Sequence, residues 1–206
     1  MDLSNPGADL LGPTRARVLL ALARVNEPVS GREVARLADG LAPSSTHREL
    51  QALVAIGLII ARPSSHATAY AVNRAHLLWP TVAEILAGTA RVEQRIRQLV
   101  LAAFGDDVSC ALFGSVARGD STPRSDIDVL IVTPDDAEAD AVGDALDQIR
   151  DDLALFTGNT PQLVTTTRSQ LRSMVAAGDP LIDSWDSDLS MICGPDVRDL
   201  IRKARS

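Results

Sequence analysis

The 206-residue sequence predicts an α+β protein made of two unlike halves. Residues 14–78 show three short helical patterns followed by two apolar stretches around a polar loop. Residues 105–206 read as strand, glycine turn with a short helix, strand, acidic helix, strand and closing helices. Charge divides at the same place: residues 1–104 carry a net +3 and the remainder a net −10, within a total of −7. With 46% hydrophobic residues, the chain supports two compact domains of about 100 residues each, and a third does not fit.

In the first half, residues 1–13 read as a loose tail. Val18, Leu22 and Val25 recur at i, i+4 and i+7; Val34, Leu37 and Ala38 mark a second helix; Leu50, Leu53 and Val54 mark a third. Ser30-Gly31-Arg32-Glu33 has the form of a capping box, the serine covering the N3 amide and the glutamate reaching back. Two starts are open for the third helix: Thr46-His47-Arg48-Glu49 as a second capping box, or Pro43 as the first helical residue. Gly57 ends it. Residues 58–61 and 69–72 then flank a polar stretch, giving strand, loop and strand.

Three helices and a hairpin in this order, with the phrase HRELQALVAIGLI, resemble the winged helix-turn-helix of bacterial transcription regulators. The resemblance implies DNA binding, with the third helix in the major groove and the wing on phosphate or minor groove. Ser44, Ser45, Thr46, Arg48 and Gln51 would make the helix contacts, and Arg62 and His66 the wing contacts. Winged helices also serve as protein-docking modules, and only Arg48 is a fixed cation on this helix.

Residues 79–104 read as a connecting helix. Val92, Ile96, Leu99, Val100 and Ala103 form an apolar stripe opposite Arg91, Arg95 and Arg97, which read as a solvated face with Glu93 and Arg97 as an i,i+4 pair. The stripe is also a candidate seam for a homodimer.

The second half holds the most informative stretch, GSVARGDSTPRSDIDVLIV from Gly114 to Val132. Residues 108–113 are apolar and read as a buried strand ending at Gly114. Glycine there allows close backbone approach to a ligand, and the N–H groups from Ser115 onward open a short helix suited to a phosphate. Gly119 closes that helix. On the next strand Ile127, Val129 and Ile131 face one side, while Asp126, Asp128 and Leu130 face the other. Two carboxylates about 7 Å apart repel by about 2 kcal/mol at an effective dielectric of about 20. A divalent cation relieves that cost, and magnesium favours a few carboxylate oxygens together with substrate phosphates.

This stretch resembles the DNA polymerase β-type nucleotidyltransferases, in particular the minimal nucleotidyltransferases of prokaryotes. The likeness runs over residues 105–205, including the ending AAGDPLIDSWDSDLSMICG. It implies a small mixed β-sheet flanked by helices, magnesium, and a nucleoside triphosphate, with ATP the first expectation. Gly114, Ser115, Arg118 and Ser125 would hold the nucleotide, and Asp126 and Asp128 would hold magnesium and carry the chemistry. Arg118 braces the turn or a phosphate in this reading.

Active members of that family carry a third carboxylate on the following strand. Here that strand reads Pro161-Gln162-Leu163-Val164-Thr165, with Gln162 at the acid's position. An amide cannot accept the proton of an attacking hydroxyl. Asp183, Asp186 and Asp188 are candidate substitutes, but their spacing gives no specific support and solvated helix ends account for them better.

Two function classes therefore stand. One is transfer of a nucleoside monophosphate onto a hydroxyl acceptor, such as a partner toxin or a small molecule. The other is a non-catalytic transcription regulator whose second domain binds nucleotide or a protein. An acidic second half disfavours a polymerase-like duplex substrate, and 3% aromatics leave no stacking platform for single strands. Asp135, Asp136, Glu138, Asp140, Asp144 and Asp147 belong to an amphipathic acidic helix. Cys110 and Cys193 read as buried thiols of a cytoplasmic protein, and no stretch has membrane-spanning character.

Overall fold

The computed structural model describes residues 1–63 and 67–205. It is α+β, and the chain divides into two compact units: Ser4–Thr89 with Asp2, and Ala90 onward with Met1 and Leu3.

The first unit contains α1 (Ala8–Leu11), α2 (Pro13–Ala23), β1 (Val29–Ser30), α3 (Gly31–Leu37), α4 (Pro43–Ala55), β2 (Ile59–Pro63), β3 (Thr68–Val72) and α5 (Trp79–Leu86). The strands form an antiparallel sheet in the order β1-β3-β2. Its core gathers the periodic apolar residues of three helices, including Val18, Leu22, Val34, Leu50 and Leu53, with Leu58, Ile59 and Tyr70 from the sheet side.

Pro43 is the first residue of α4, and no side chain caps the helix start. This settles its N-terminus: proline fixes φ in the helical range and its missing N–H has no partner to lose there. Ser30 does cap α3, its hydroxyl accepting from the Glu33 N–H at 3.2 Å, while the Glu33 carboxylate takes Arg36 at 2.9 Å. Only half of the expected capping box is thus used. The two-residue β1 escaped the sequence pattern because it is too short to alternate.

The expected loose tail is ordered. Leu3 and Asn5 are buried, the Asn5 amide donates to the Pro13 carbonyl at 3.2 Å, and α1 lies within the segment. Four residues of helix carry too little periodicity to show in sequence.

The second unit contains α6 (Gly88–Phe104), β4 (Ser109–Phe113), α7 (Gly114–Arg118), β5 (Ile127–Thr133), α8 (Ala139–Thr157), β6 (Pro161–Thr167), α9 (Arg168–Ala177), α10 (Pro180–Asp188), β7 (Ser190–Cys193) and α11 (Val197–Ala204). Its mixed sheet has the order β6-β5-β4-β7, with β5 and β6 parallel and the other pairs antiparallel. Alternation along β5 splits the interior in two. Ile127, Val129 and Ile131 pack with Val92, Ile96, Val100, Ile149 and Leu153 of α6 and α8, whereas Leu130 and Val132 pack with Leu171, Ile182, Trp185, Val197 and Ile201 of α9, α10 and α11. Each fully buried aliphatic side chain contributes roughly 1.5–3 kcal/mol, so this strand is firmly held.

The segment expected as one connecting helix is two helices, separated at Ala87. The α6 stripe of Val92, Ile96 and Val100 is buried in its own unit's core, which removes it as a seam for a second copy. Arg91 and Arg97 are exposed, as expected of a solvated face, while Arg95 beside them is half-buried and both oxygens of Asp152 on α8 accept from it, one at 2.7 Å.

Candidate active site

Three strand ends meet at one edge of the mixed sheet. Phe113, the last residue of β4, is the register partner of Asp128 on β5, and Asp128 is the partner of Gln162 on β6. Register partners share a face, so these three side chains form a row across the sheet. The row lies on the side of Leu130 and Val132, where Trp185 of α10 meets the Phe113 ring edge-on at 6.2 Å. Asp126 sits just ahead of β5, exposed and two positions from Asp128.

Gly114 follows Phe113 directly and is required twice over. Its φ of +69° lies in the left-handed region, where a Cβ costs about 1–2 kcal/mol. A Cβ there would also stand 3.1 Å from the Asp128 Cγ and closer still to its Oδ2. The turn and the carboxylate are therefore in contact, which joins the two halves of the sequence motif. Beyond the glycine, α7 runs for only five residues, with Phe113 extended at its N-cap, no side-chain cap, and Gly119 closing it at φ +76°.

Asp128 titrates above the usual carboxylate range. Burial is the first cause and the neighbouring Asp126 charge the second, with Arg118 opposing both. Arg118 is held away from full neutralisation of the pair, because it donates to Asp188 at 3.0 Å and to Asp120 at 3.3 Å. Asp188 is correspondingly held below its ordinary range, by the Ser187 hydroxyl and then by Arg118. Two neighbouring carboxylates, one half-buried with its charge disfavoured, suit a hard divalent cation. Among the described residues, no group of three or more Asp, Glu, His or Cys gathers as a metal cluster. The donor set at the row is two carboxylates and the Gln162 amide.

The structure places the remaining predicted residues as follows. Ser115 lies in the first turn of α7, half-buried, and its carbonyl accepts from the Asp120 N–H at 3.0 Å. Arg118 is a brace between α7 and the end of α10. The Ser125 hydroxyl accepts from the Thr122 N–H at 2.9 Å, so it builds the loop leading to Asp126. Of the substitute acids, Asp188 is taken by Arg118, while Asp183 and Asp186 pair with Arg205 at 3.2 and 2.8 Å. All three are thus engaged by arginines, and Gln162 is the residue in register with Asp128 on β6.

Asn159 is a site residue that the sequence did not disclose. It is buried, follows the C-cap Gly158 of α8, and its side-chain amide donates to the Ser125 carbonyl at 2.9 Å and to the Met1 carbonyl at 3.1 Å. With the Ile127 N–H donating to the Thr160 carbonyl at 2.9 Å, it fixes the chain entering the aspartate pair. The only signal was a Gly-Asn step after a helix, which reads as an ordinary turn.

In the first unit, the candidate DNA face is mostly at the surface. Ser44, Arg48, Gln51 and Arg62 are exposed and Ser45 is half-buried. Gln51 donates to the Tyr70 hydroxyl at 3.4 Å, which ties the helix to β3. Thr46 is a correction: it is buried, its hydroxyl donates to the Ala42 carbonyl at 3.2 Å, and it serves the core of the helix start. Its i−4 bond follows from α4 beginning at Pro43. His66 lies outside the described residues.

Comparisons with known proteins agree with this division. Residues 91–187 match the nucleotidyltransferase domain family, and residues 16–62 match the IclR helix-turn-helix domain family. A crystal structure of a toxin-antitoxin with AMP-PNP is similar at 22% identity and a TM-score of 0.41, over 55% of this chain and 83% of that one. No curated protein matches the chain. Among the described residues, no helix is long and apolar enough to cross a membrane. The second unit is thus similar to nucleotidyltransferase domains over residues 91–187, and the first to IclR helix-turn-helix domains over residues 16–62.

Proposed function

We propose that the second unit binds a magnesium–nucleoside triphosphate complex and transfers the nucleoside monophosphate to an acceptor hydroxyl, while the first unit binds DNA. The single observation that carries this reading is the contact between the Gly114 turn and the half-buried Asp128 carboxylate beside Asp126. Asp126 and Asp128 would hold the ion, which supplies charge neutralisation at the phosphates. The Gly114–Ser115 turn would approach the phosphates through its backbone, and Arg118 would add a cation at the same edge. ATP is the proposed nucleotide, and a protein such as a partner toxin, or a small molecule, is the proposed acceptor.

In the transfer, the acceptor oxygen attacks the α-phosphorus, the bond to the bridging oxygen breaks, and pyrophosphate leaves. The hydroxyl proton needs a base. Gln162 cannot take it, so solvent must, and the reaction is expected to be slow and to quicken as pH rises. Calorimetric titration of magnesium and ATP into the full chain tests the binding step. Labelled triphosphates incubated with the chain and cell lysate test the transfer. Equal binding by wild type and the Asp126→Ala, Asp128→Ala double variant overturns the proposal.

The register position of Gln162 also favours a second reading, a transcription regulator whose nucleotidyltransferase fold senses nucleotide without turnover. Magnesium-dependent binding without label transfer from any of the four nucleotides selects it. A nucleotide-dependent change in DNA affinity would then be the functional output.

A further inference from the structure

The mixed sheet carries a second chemical pair that the nucleotide site does not use. Cys110 on β4 and Cys193 on β7 are register partners across an antiparallel ladder, beside a bulge between Cys110 and Ala111. Both are free thiols and both belong to the core beneath α6 and α8, with Cys110 0% and Cys193 7% exposed. Paired positions in an antiparallel ladder stand about 4.5–5.5 Å apart between Cα atoms, within the span of about 4.4–6.8 Å that a disulfide bridges. β7 is an edge strand of the sheet, so Cys193 is the member nearer solvent.

The environment distinguishes the two thiols. Cys193 is held below the ordinary thiol range, at about 7, by the Cys110 side chain first and with help from the Arg97 charge, against the opposing effect of burial. Cys110, more deeply buried and holding its proton against Cys193, is raised. Such a division gives one nucleophilic thiolate and one resolving thiol.

We propose that Cys110 and Cys193 are an oxidisable dithiol, closed by hydrogen peroxide into an intramolecular disulfide that links β4 to β7. The Cys193 thiolate attacks one peroxide oxygen, the O–O bond breaks, and hydroxide leaves to take a proton from solvent, giving a sulfenic acid and water. The Cys110 sulfur then attacks the Cys193 sulfur; the S–O bond breaks, and the departing oxygen leaves as water with the Cys110 proton. Two thiols lose two electrons and one peroxide becomes two waters. The pair stands on geometry independent of the nucleotide site, so its test and that of the proposed function succeed or fail separately.

The test uses the reduced full chain, titrated with hydrogen peroxide at neutral pH, followed by thiol counting after denaturation and by intact mass. Both thiols are expected to disappear together, with loss of two hydrogens from the monomer mass, a cross-linked peptide joining residues 110 and 193, and recovery on treatment with dithiothreitol. Cys110→Ser is expected to stop at a dimedone-reactive sulfenic acid on Cys193, and Cys193→Ser to leave Cys110 reduced. Retention of both thiols under peroxide excess overturns the proposal, as does oxidation that yields only linked dimers or sulfonic acids. The wild-type mass and peptide map decide the matter even where a variant fails to fold.

Discussion

Replacing Asp128 with asparagine separates what the site needs for binding from what the fold needs for stability. The substitution keeps the side-chain shape and removes a charge that burial and Asp126 both disfavour. Two strand positions separate the aspartates by about 7 Å, where repulsion is about 2 kcal/mol at an effective dielectric of about 20. Exposure of Asp126 and screening by salt reduce this to about 1 kcal/mol. On that basis Asp128→Asn raises the melting temperature of the metal-free protein by about 2–8 °C at pH 7. The pH dependence has a definite sign. A carboxyl whose folded pKa is raised leaves the folded state holding more protons than the unfolded chain, so it favours folding at low pH and that benefit is lost as pH rises through the folded pKa. The wild-type advantage of lowering the pH from 7 should therefore shrink in the variant. Differential scanning calorimetry with and without magnesium and ATP reads both effects: the ligands should raise the wild-type transition and leave that of Asp128→Asn unmoved. A lower melting temperature for the variant, or an undiminished magnesium and ATP shift, refutes the reasoning.

Three further outcomes are expected. Gly114→Ala should cost at least about 1–2 kcal/mol from its left-handed φ alone and should abolish nucleotide binding by displacing Asp128, whereas Gly143→Ala, mid-helix with open space around it, should stabilise by about 0.5–1 kcal/mol; chemical denaturation compares them. Gln162→Asp should speed label transfer at neutral pH and flatten its rise with pH, because it places a proton acceptor in the same row as Asp128; an unchanged pH–rate profile counts against the missing-base explanation. Arg48→Ala should leave the unfolding free energy within about 1 kcal/mol of wild type, since its side chain is 75% exposed, and should lower the salt dependence of DNA affinity by about one unit in the log–log slope; binding measured at several salt concentrations checks it.

The alternation of Ile127, Val129 and Ile131 against Asp128 and Leu130 was legible in sequence because a strand has a period of two and each face has a chemical character of its own. Gly114 was legible because its turn is local in the chain, whereas the place of Gln162 came only from the resemblance to a known family. Contacts between distant segments were not. The bond from Asn159 to Ser125, the Arg118–Asp188 brace and the pairing of Cys110 with Cys193 depend on β6, α10 and β7 arriving beside β4 and β5, and no local periodicity encodes that arrival. Thr46 was misplaced because two helix starts fitted the same letters. With Pro43 first, its side chain falls on the buried side of α4.

β5 feeds two separate interiors with alternate residues, and Asp128 heads the column whose later members are fully buried. A slip of one residue along this strand would turn every side chain over and drive the carboxylate inward among Val92, Ile96 and Leu153, where an unpaired charge costs several kcal/mol. The ionised group that suits the site to a cation therefore also penalises misthreading, and strand slippage in Asp128→Leu would be punished less than in the wild type.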